Sequence, residues 1–593
     1  MNASERSLFA LVALLVGVYV ILRAALVPLV HDECASLLWY VQPQEWLPDA
    51  SHWDANNHFL SSGLGVLFHL LFGLHPLSLR LGSVLAFAAY GGGCWRLGSH
   101  LRDRVVRWSL LTALLLCPFV LDFFALFRGY AIELAAWVWA LDGLFRYAAA
   151  RTVRSLVQVL VALLLGTSAM LSLLPVWLIV LGILGLLLVL AVRDIGLRAI
   201  ATPVALLMGL GVLPLFFAAG IALRMQDMSL LYNGSTEGFI AVTMRTLMRY
   251  VLGADHPLLM LVVLCIVGLI TGIGVRKVWR ERQWTSPLAL VLLLLWGDVL
   301  LRILLANVRG VNYPEDRSGI HFVPLVIMAM ALAADELAFV RPLLRWSAAV
   351  LWVLPMRTLM LLNVDHTLLW PEQSVPPRFV LKADQLQRAM DRQILVGGYH
   401  QLSLAWPVQS RLCGVQPLSL QTEDFPAGLH DLRIVDGRFL QQALPGYRVI
   451  DSAEGPGLWM LEWAMSLEPE QTWRTASVLR KGRDEFFELA QPPDSLLQGT
   501  ANMLDLSIPV RLDTVPPDLS IVLEVNDAQG DKLFYRAVAL GTIASHWALD
   551  TLRQAYALPA MPAATRTVLY VYNPRKVAVE LGEGTVRLSS MRP

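Results

Sequence analysis

The chain has 593 residues, of which 56% are hydrophobic and 16% are charged, and its mean hydropathy is +0.57. Soluble globular proteins carry about 25% charged residues, so this composition excludes an ordinary soluble protein and indicates a polytopic membrane protein. The formal net charge of +1 argues against a general attraction to nucleic acid, and the five cysteines, none of them in a CxxC pair, indicate no zinc or disulfide scaffold.

Apolar stretches recur from the N-terminus to about residue 363, and a helix needs about 20 such residues to cross a bilayer. The shorter apolar segment 58–74 contains two histidines and three glycines and is predicted as an interfacial helix. With residue 1 in the cytoplasm, basic loops such as HLRDRVVR and RKVWRERQ lie inside, as the positive-inside rule requires. Eleven transmembrane helices are predicted, at 7–30, 78–98, 108–127, 129–148, 154–171, 173–192, 199–222, 257–275, 286–306, 319–337 and 343–363.

The composition changes after residue 363, and residues 364–593 are expected outside the cytoplasm. Residues 364–465 combine a helical segment with short apolar runs such as QILVGGY, which predicts a small α/β domain. Residues 466–593 contain strand-like segments separated by turn signals, which predicts a β-sandwich-like domain. The predicted fold class is therefore a polytopic α-helical membrane protein of about 11 transmembrane helices, residues 1–363, with a C-terminal extracytoplasmic α/β plus β-sandwich region.

Two adjacent acids, Asp32 and Glu33, follow the first predicted span directly. They are expected at the membrane surface, where they can act on a substrate that is itself anchored in lipid. A solvated helix end would explain one acid. Matching acids and arginines on the same side favour a functional site.

Further polar residues gather on the same predicted side, in the first outer loop, in the turn after the third span and in the last outer loop before the tail. Asp298 and Arg302 stand four residues apart on one face of the ninth span, where ionisable groups are costly and are functional candidates by default. Structural alternatives remain open: a self-paired Asp298–Arg302 couple, an interfacial position for Arg128 and a hydrogen-bonded interface residue at His58. The other candidates are Asp54, Asp122, Tyr130, Glu133, Tyr313, Arg317 and His321.

This set of residues suits sugar transfer from a lipid phosphate. The phosphate is already a good leaving group, so the acceptor hydroxyl needs a base, and Asp32 is predicted for that role with Glu33 or Asp54 as its partner. The leaving phosphate needs positive charge, from Arg128, Arg302 and Arg317 or from a divalent cation such as Mg or Mn held by Asp122 and Glu33. His58, Tyr130, Tyr313 and His321 complete the predicted substrate-binding set. Direct backside attack would invert the anomeric centre.

These residues lie in motifs that resemble the GT-C superfamily of membrane glycosyltransferases, in particular the protein O-mannosyltransferase and lipid A aminoarabinose transferase type. The resemblance covers about residues 1–340 and implies a GT-C-like catalytic domain in residues 1–363, a polyprenyl-phosphate sugar donor, an extracytoplasmic active site and frequent metal dependence. It implies the essential acid at Asp32 and a lipid-phosphate contact at Arg317. Both prolines of the usual HPPL-like element are missing at residues 57–60, and the outer-loop lysines of lipid A transferases are not evident, so neither mannose nor aminoarabinose is assigned. The motifs are HDECASLLWY, DANNHFLSS, LSLRLGSVLAF, FRGYAIELAAW and YPEDRSGIHFVPL.

The predicted function is an inverting glycosyltransferase that moves a sugar from a polyprenyl-phosphate donor to a hydroxyl of a protein, lipid or glycan acceptor. The expected location is a bacterial inner membrane, with a cytoplasmic N-terminus and a periplasmic C-terminal region. One alternative is a transporter or flippase for a lipid-linked saccharide, although no internal repeat is visible and the carboxylates gather at one face. Another is a non-catalytic envelope assembly protein that displays its β-domain.

Overall fold

The computed structural model describes residues 3–195, 200–390, 392–416, 418, 420–423, 429–465, 467–477, 479–498, 502–512, 518–540, 551–559 and 561–592. The chain divides into two compact units. The first unit comprises Met1–Leu26 and Trp46–Val364, and the second comprises Val27–Glu45 and Asp365–Pro593. The segment that carries Asp32 and Glu33 therefore belongs to the second unit.

The α-helices of residues 3–364 belong to the first unit, except α2, which belongs to the second. In chain order these helices are α1 (Ala3–Leu26), α2 (His31–Ser36), α3 (Phe59–Phe72), α4 (Pro76–Gly98), α5 (Arg104–Leu115), α6 (Pro118–Phe123), α7 (Tyr130–Ala150), α8 (Val153–Ala169), α9 (Leu174–Ile195), α10 (Ala201–Leu206), α11 (Leu213–Asp227), α12 (Arg245–Leu252), α13 (Pro257–Glu281), α14 (Pro287–Arg309), α15 (Phe322–Val340) and α16 (Val353–Met360). Short π-helical segments occur at Leu37–Val41, Leu207–Val212 and Ile240–Met244, and 3₁₀ segments at Leu171–Leu173, Asp316–Gly319 and Pro342–Trp352.

Several helical stretches are long and apolar enough to cross a membrane. Within the described residues there are six by length and composition: Ala3–Leu26, Leu171–Leu190, Ala201–Asp227, Pro257–Glu281, Pro287–Arg309 and Phe322–Val340. Helix α3 has only 14 residues, short of the ~20 that a span needs, as expected for the segment predicted to be interfacial.

Two of the predicted spans are interrupted. In the stretch 108–127, α5 ends at Leu115 and α6 begins at Pro118, with Cys117 extended between them. Proline has no N–H to continue a helix and disfavours helical geometry in the residue before it, which explains the break. The stretch 343–363 begins with the 3₁₀ segment and becomes α-helical only at Val353.

The second unit begins with α2 and continues with a mixed sheet of order β2-β1-β3-β5-β4, in which β1 is parallel to β2 and β3 and the other pairs are antiparallel. This sheet follows the prediction of a small α/β fold. Its elements are β1 (Val396–Tyr399), β2 (Leu420–Glu423), β3 (Leu432–Asp436), β4 (Tyr447–Ala453) and β5 (Leu458–Trp463), with α17 (Pro377–Arg388), α18 (Leu402–Leu412) and α19 (Leu440–Ala443).

The remaining strands form two further sheets, of order β11-β10-β13-β8 and β6-β15-β9-β14-β7, with β12 paired to β9. Buried residues of both sheets, such as Leu506 and Ile508 of one and Ile521 and Leu569 of the other, belong to one hydrophobic core. This is a β-sandwich, so the predicted fold class is confirmed. Its elements are β6 (Glu468–Ser477), β7 (Arg480–Gly482), β8 (Phe486–Ala490), β9 (Met503–Leu512), β10 (Ser520–Asn526), β11 (Lys532–Ala539), β12 (Thr551–Ala557), β13 (Arg566–Tyr572), β14 (Val579–Leu581) and β15 (Gly584–Arg592), with the short helix α20 (Asp494–Gln498).

Candidate functional site

The adjacent acids of α2 have different environments. Glu33 is fully buried, and its Oε2 accepts a hydrogen bond of 3.1 Å from the backbone N–H of Val30, which caps the helix. Asp32 lies half-buried in the first helical turn, where a negative charge complements the helix dipole. Of the two predicted catalytic acids in α2, Asp32 is therefore the less buried.

His31, which precedes this acid pair, forms hydrogen bonds within the second unit. The backbone N–H of His31 donates to Oε1 of Gln373 at 3.1 Å, and its ring Nδ1 lies 3.0 Å from the carbonyl oxygen of Gln401. Burial lowers the pKa of His31, against an opposing effect of Asp32. The short α2 thus has a fixed N-terminus, with Asp32 held next to a histidine that favours its neutral form.

In the first unit, residues of the DANNHFLSS motif contact residues of the FRGYAIELAAW motif. Arg128 donates a hydrogen bond from Nη1 to the side-chain oxygen of Asn56. The ring centroid of His58 lies 5.3 Å from that of Tyr130, and the guanidinium carbon of Arg128 lies 6.0 Å from the Tyr130 centroid. We call Asn56, His58, Arg128, Tyr130 and Arg317 the arginine–histidine cluster. The sequence placed all five on one predicted side of the membrane. The structure shows contacts among Asn56, His58, Arg128 and Tyr130, and the charge of Arg317 also acts on His58.

Gly129 makes this approach possible. A Cβ at this position would lie 2.3 Å from the carbonyl oxygen of Ala169 and 3.1 Å from Cβ of His58. Real side chains do not tolerate the first distance, so only glycine fits between Arg128 and Tyr130. The same Ala169 carbonyl lies 3.3 Å from His58 Nδ1.

Asp54 has a local structural partner. Its Oδ1 accepts a 2.7 Å hydrogen bond from the backbone N–H of Asn56, which is an Asx-type turn. This bond orients the segment that presents Asn56 to Arg128. The neighbouring Asn57 donates to the Ser51 hydroxyl at 3.0 Å and accepts from the Ser62 hydroxyl at 2.9 Å, which anchors the turn to α3.

His58 is the most informative member of the cluster. Because a carbonyl oxygen only accepts, the bond to Ala169 places the proton of the neutral ring on Nδ1 and leaves a lone pair on Nε2. Within the described residues this buried Nε2 has no hydrogen-bond partner. Burial, and then the positive charges of Arg128 and Arg317, lower the pKa of His58 well below its ordinary value. His58 is therefore a neutral acceptor in a positive field.

The late loop presents Arg317 on a 3₁₀ turn. Tyr313, 5% exposed, is held by a 2.9 Å bond from its backbone N–H to the Ser235 carbonyl. Asp316 has φ +42°, and its backbone N–H donates to the Thr246 hydroxyl at 2.8 Å. The Arg317 Nη1 lies 3.4 Å from Asp316 Oδ1, and both side chains are mostly buried. The loop is thus fixed by several contacts within its own unit.

A second group of predicted residues forms a different assembly. Asp298 accepts from His321 Nε2 at 2.9 Å and from Arg302 Nε at 3.0 Å. Arg302 also donates to the carbonyl of Ser172 at 2.8 Å, and the Ser172 hydroxyl donates to Glu133 at 3.2 Å. We call Glu133, Ser172, Asp298, Arg302 and His321 the buried network.

The buried network agrees with the structural alternative for Asp298 and Arg302, because both charges are satisfied by protein groups. His321 Nδ1 also lies 3.6 Å from Glu133 Oε1. Sequence reasoning paired Asp298 with Arg302 by their spacing on a helix. It did not connect them to Ser172 or Glu133, for which the linear sequence holds no spacing signal.

Comparisons with known proteins give fold-level similarities. No family model matches the chain, and neither does any curated protein. Among solved structures, ArnT from Cupriavidus metallidurans bound to undecaprenyl phosphate is 14% identical, with 78% of this chain and 98% of that chain covered and a TM-score of 0.45. The Archaeoglobus fulgidus oligosaccharyltransferase in complex with Zn and sulfate is 10% identical, with 96% and 97% covered and a TM-score of 0.41. Arabinosyltransferase EmbB from Mycobacterium smegmatis is 9% identical, with 100% and 65% covered and a TM-score of 0.35.

The chain shows overall similarity to these three solved proteins. Its resemblance to GT-C membrane glycosyltransferases rests on the sequence motifs.

The divalent cation implied by that resemblance does not fit the residues predicted to hold it. Asp122 is buried in an ion pair with Arg23, whose Nη1 also donates to the Asn363 carbonyl at 3.0 Å. Glu33 is used to cap α2. Among the described residues, no group of three or more His, Cys, Asp or Glu is arranged to hold a metal ion. Asp122 and Glu33 are therefore not assigned to a metal ion.

Proposed function

We propose that this protein is a membrane glycosyltransferase that uses a polyprenyl-phosphate sugar donor and glycosylates an acceptor hydroxyl at the extracytoplasmic face. The arginine–histidine cluster binds the phosphate and the sugar of the donor. Asp32 is the base that deprotonates the acceptor. Residues 1–363 make up the catalytic membrane domain, and residues 364–465 and 466–593 are its two extracytoplasmic domains.

The observation that carries the proposal is the state of His58. Burial, and then the guanidinium charges of Arg128 and Arg317, lower the pKa of this imidazole, and two guanidinium groups close enough to act on one histidine favour anion binding. Guanidinium groups are well suited to phosphate because they present several N–H donors in a fixed plane. The lone pair of His58 Nε2 is suited to a neutral hydroxyl donor, such as that of a sugar.

In the proposed reaction, the acceptor oxygen attacks the anomeric carbon of the donor sugar from the face opposite the phosphate. The new C–O bond forms as the bond between the anomeric carbon and the phosphate oxygen breaks. The hydroxyl proton passes to the Asp32 carboxylate. The bonding electrons leave with the phosphate, whose negative charge is stabilised by Arg128 and Arg317. One displacement inverts the anomeric configuration.

The buried network has a supporting role in this proposal. His321 is four residues beyond Arg317 and is fixed by Asp298. It therefore anchors the end of the loop that presents Arg317. Arg302 is satisfied within the network, so phosphate binding is assigned to Arg128 and Arg317.

The test is a transfer assay with the whole chain in membranes that contain its native acceptors. The donors are a panel of radiolabelled polyprenyl-phosphate sugars, supplied to wild type, Asp32→Asn and the control Glu45→Gln. Glu45 is an exposed acid in the same segment as Asp32, 3.7 Å from Arg575. Loss of a general base is expected to slow transfer about 10²- to 10⁴-fold in Asp32→Asn, while Glu45→Gln keeps its activity.

Two results would contradict the proposal. Equal turnover in wild type and Asp32→Asn would show that Asp32 is not the general base. No turnover with any donor, together with movement of the labelled lipid between leaflets, would establish the alternative flippase activity.

A further inference from the structure

The outer face of the four-stranded sheet in the β-sandwich carries an unusual concentration of aromatic side chains. On β10, Ile521, Leu523 and Val525 point into the sandwich core. Because side chains alternate along a strand, Ser520, Val522 and Glu524 occupy the opposite face. Their partners across the sheet share that face.

The strand register places four aromatic residues there. Tyr535 of β11 pairs with Glu524, whereas Tyr570 and Tyr572 of β13 pair with Val522 and Ser520. Phe486 of β8 pairs with Tyr572. We call Phe486, Tyr535, Tyr570 and Tyr572 the aromatic face.

The rings of Phe486, Tyr570 and Tyr572 lie close together, and Phe486 and Tyr535 are exposed to solvent whereas Tyr570 and Tyr572 are half-buried. The Phe486 centroid lies 5.3 Å from that of Tyr572 and 5.8 Å from that of Tyr570. Phe486 is 58% exposed and Tyr535 is 48% exposed. Large exposed aromatic groups that lie next to one another, unlike single ones, mark binding surfaces.

Fixed polar groups lie among the rings. Glu524 accepts hydrogen bonds from the Tyr570 hydroxyl at 3.3 Å and from the Asn526 amide at 2.9 Å. The Lys532 Nζ lies 3.7 Å from the same carboxylate and 4.5 Å from the Tyr535 centroid. At the β8 side, Glu488 accepts from Gln491 at 3.0 Å. The charges are balanced locally, so the surface combines apolar ring faces with oriented donors and acceptors.

We propose that the aromatic face binds a neutral oligosaccharide chain, at a site separate from the sugar-transfer chemistry. A sugar ring has an apolar face of C–H groups that stacks on an aromatic ring, and a rim of hydroxyls that hydrogen-bonds to carboxylates, amides and phenols. Tyrosine offers both kinds of contact in one side chain. Adjacent rings on neighbouring strands contact successive sugar units, which favours a chain over a monosaccharide.

The charges of the aromatic face disfavour other ligands that could stack on its rings. Single-stranded nucleic acid binds aromatic platforms, but it also needs a cationic groove for its phosphates. Anionic lipid headgroups likewise need clusters of Lys and Arg. Here Glu524 and Glu488 lie among the rings, Lys532 is already 3.7 Å from Glu524, and Arg566, the partner of Asn526, adds one positive charge, so the positive and negative charges balance. An uncharged polyol is the ligand that suits this balance.

The test measures binding by the whole chain in lipid nanodiscs, because glycoside detergents would compete for the face. Isothermal titration calorimetry is performed with cellohexaose, mannohexaose and chitohexaose. The variant Phe486→Ala/Tyr572→Ala is expected to raise the Kd of the bound hexasaccharide at least about tenfold, as loss of central aromatic contacts does. The matched control is Phe439→Ala, a 39% exposed aromatic residue elsewhere in the same unit. This control should leave the Kd unchanged.

A second variant separates binding from folding. Glu524→Gln keeps the shape of the face and the fold, and it should weaken binding about threefold or more through the lost charged acceptor. Thermal unfolding of every variant checks that the sandwich remains intact. Because no donor sugar is used, failure of the proposed transferase activity leaves this binding result unaffected.

Several outcomes would overturn the proposal. These are no binding of any of the three hexasaccharides at millimolar concentration, or equal binding by wild type and the double variant. Tighter binding of an oligothymidylate 12-mer or of phosphatidylglycerol vesicles, lost in the double variant, would assign the face to nucleic acid or to lipid.

Discussion

His321 Nε2 lies 2.9 Å from Asp298 Oδ2, and neither side chain is exposed to solvent. The two residues come from different helical regions, since Asp298 lies in α14 and His321 directly precedes α15. Their contact fixes the end of the loop that carries Arg317. A buried polar pair of this kind is costly to leave half-satisfied, so it constrains the loop to one position.

Removal of Asp298 should therefore destabilise the first unit. In Asp298→Ala, Arg302 and His321 lose their shared carboxylate, and breaking a buried pair on one side costs about 3–5 kcal/mol. The measurement is thermal unfolding of the protein in nanodiscs. Asp49→Ala is the matched control, because Asp49 pairs with Arg224 at 3.1 Å on the surface, where such pairs contribute only about 0–1 kcal/mol. Equal losses in the two variants would contradict a stabilising role for the buried network.

Gly129→Ala should damage the arginine–histidine cluster. The added Cβ meets backbone, the Ala169 carbonyl, at 2.3 Å, so the turn that carries Arg128 and Tyr130 must shift. We expect transfer activity to fall at least about 10²-fold, since displacement of binding groups by ~1 Å has that effect. Gly91→Ala is the control, because a Cβ there meets nothing within 4 Å. Full activity in Gly129→Ala would show that the position of this turn does not matter.

Several helices of the first unit could be predicted from the length of their apolar segments, because the bilayer imposes a minimum length on each span. Helix α14, predicted as the span 286–306, is an example. The break between α5 and α6 was also encoded, in Pro118, but a hydropathy profile counts apolar residues and does not register a missing N–H.

The individual partners of the candidate residues were less predictable. Glu33 caps α2 although the N-cap residue is Val30 and not the Ser or Thr that marks a capping box in a sequence. Asp122 pairs with Arg23, 99 positions away, and Asp298 contacts His321 across two helices. Such pairings depend on tertiary packing, so the sequence indicates which residues are polar but not which of them satisfy one another.

Two substitutions of Arg128 should distinguish the effect of its positive charge from the effect of its planar guanidinium group. Arg128→Gln removes a phosphate donor and should lower kcat/KM about 10²- to 10³-fold, the range found when one transition-state donor is lost. Arg128→Lys retains the charge but not the planar guanidinium, so an intermediate loss is expected. Steady-state transfer assays measure both, with the exposed Arg154→Gln as control. Full activity in Arg128→Gln would exclude this residue from phosphate binding.

Chelation should leave transfer unchanged. Asp122 is paired with Arg23 and Glu33 caps α2, and the proposed phosphate contacts are guanidinium groups. Dialysis of the membranes against EDTA, followed by the transfer assay, should therefore give the initial rate of the untreated protein. A loss that is restored by Mg²⁺ or Mn²⁺ would show that a cation contributes to the reaction.

The pH dependence of stability should report the lowered pKa of His58. Its pKa is lower in the folded protein than the ~6.5 of an unperturbed histidine, so the unfolded chain takes up this proton first as the pH falls. The free energy of unfolding should therefore decrease from about pH 6.5 down to the folded pKa. His58→Gln removes this contribution. The melting temperatures of wild type and variant, measured from pH 7.5 to pH 4.5, should change relative to each other below about pH 6.5, with a steeper decline in the wild type. The same substitution at the exposed His52 serves as control. Parallel curves for wild type and His58→Gln would show that His58 titrates alike in the folded and unfolded states, and would contradict a lowered pKa in the folded protein.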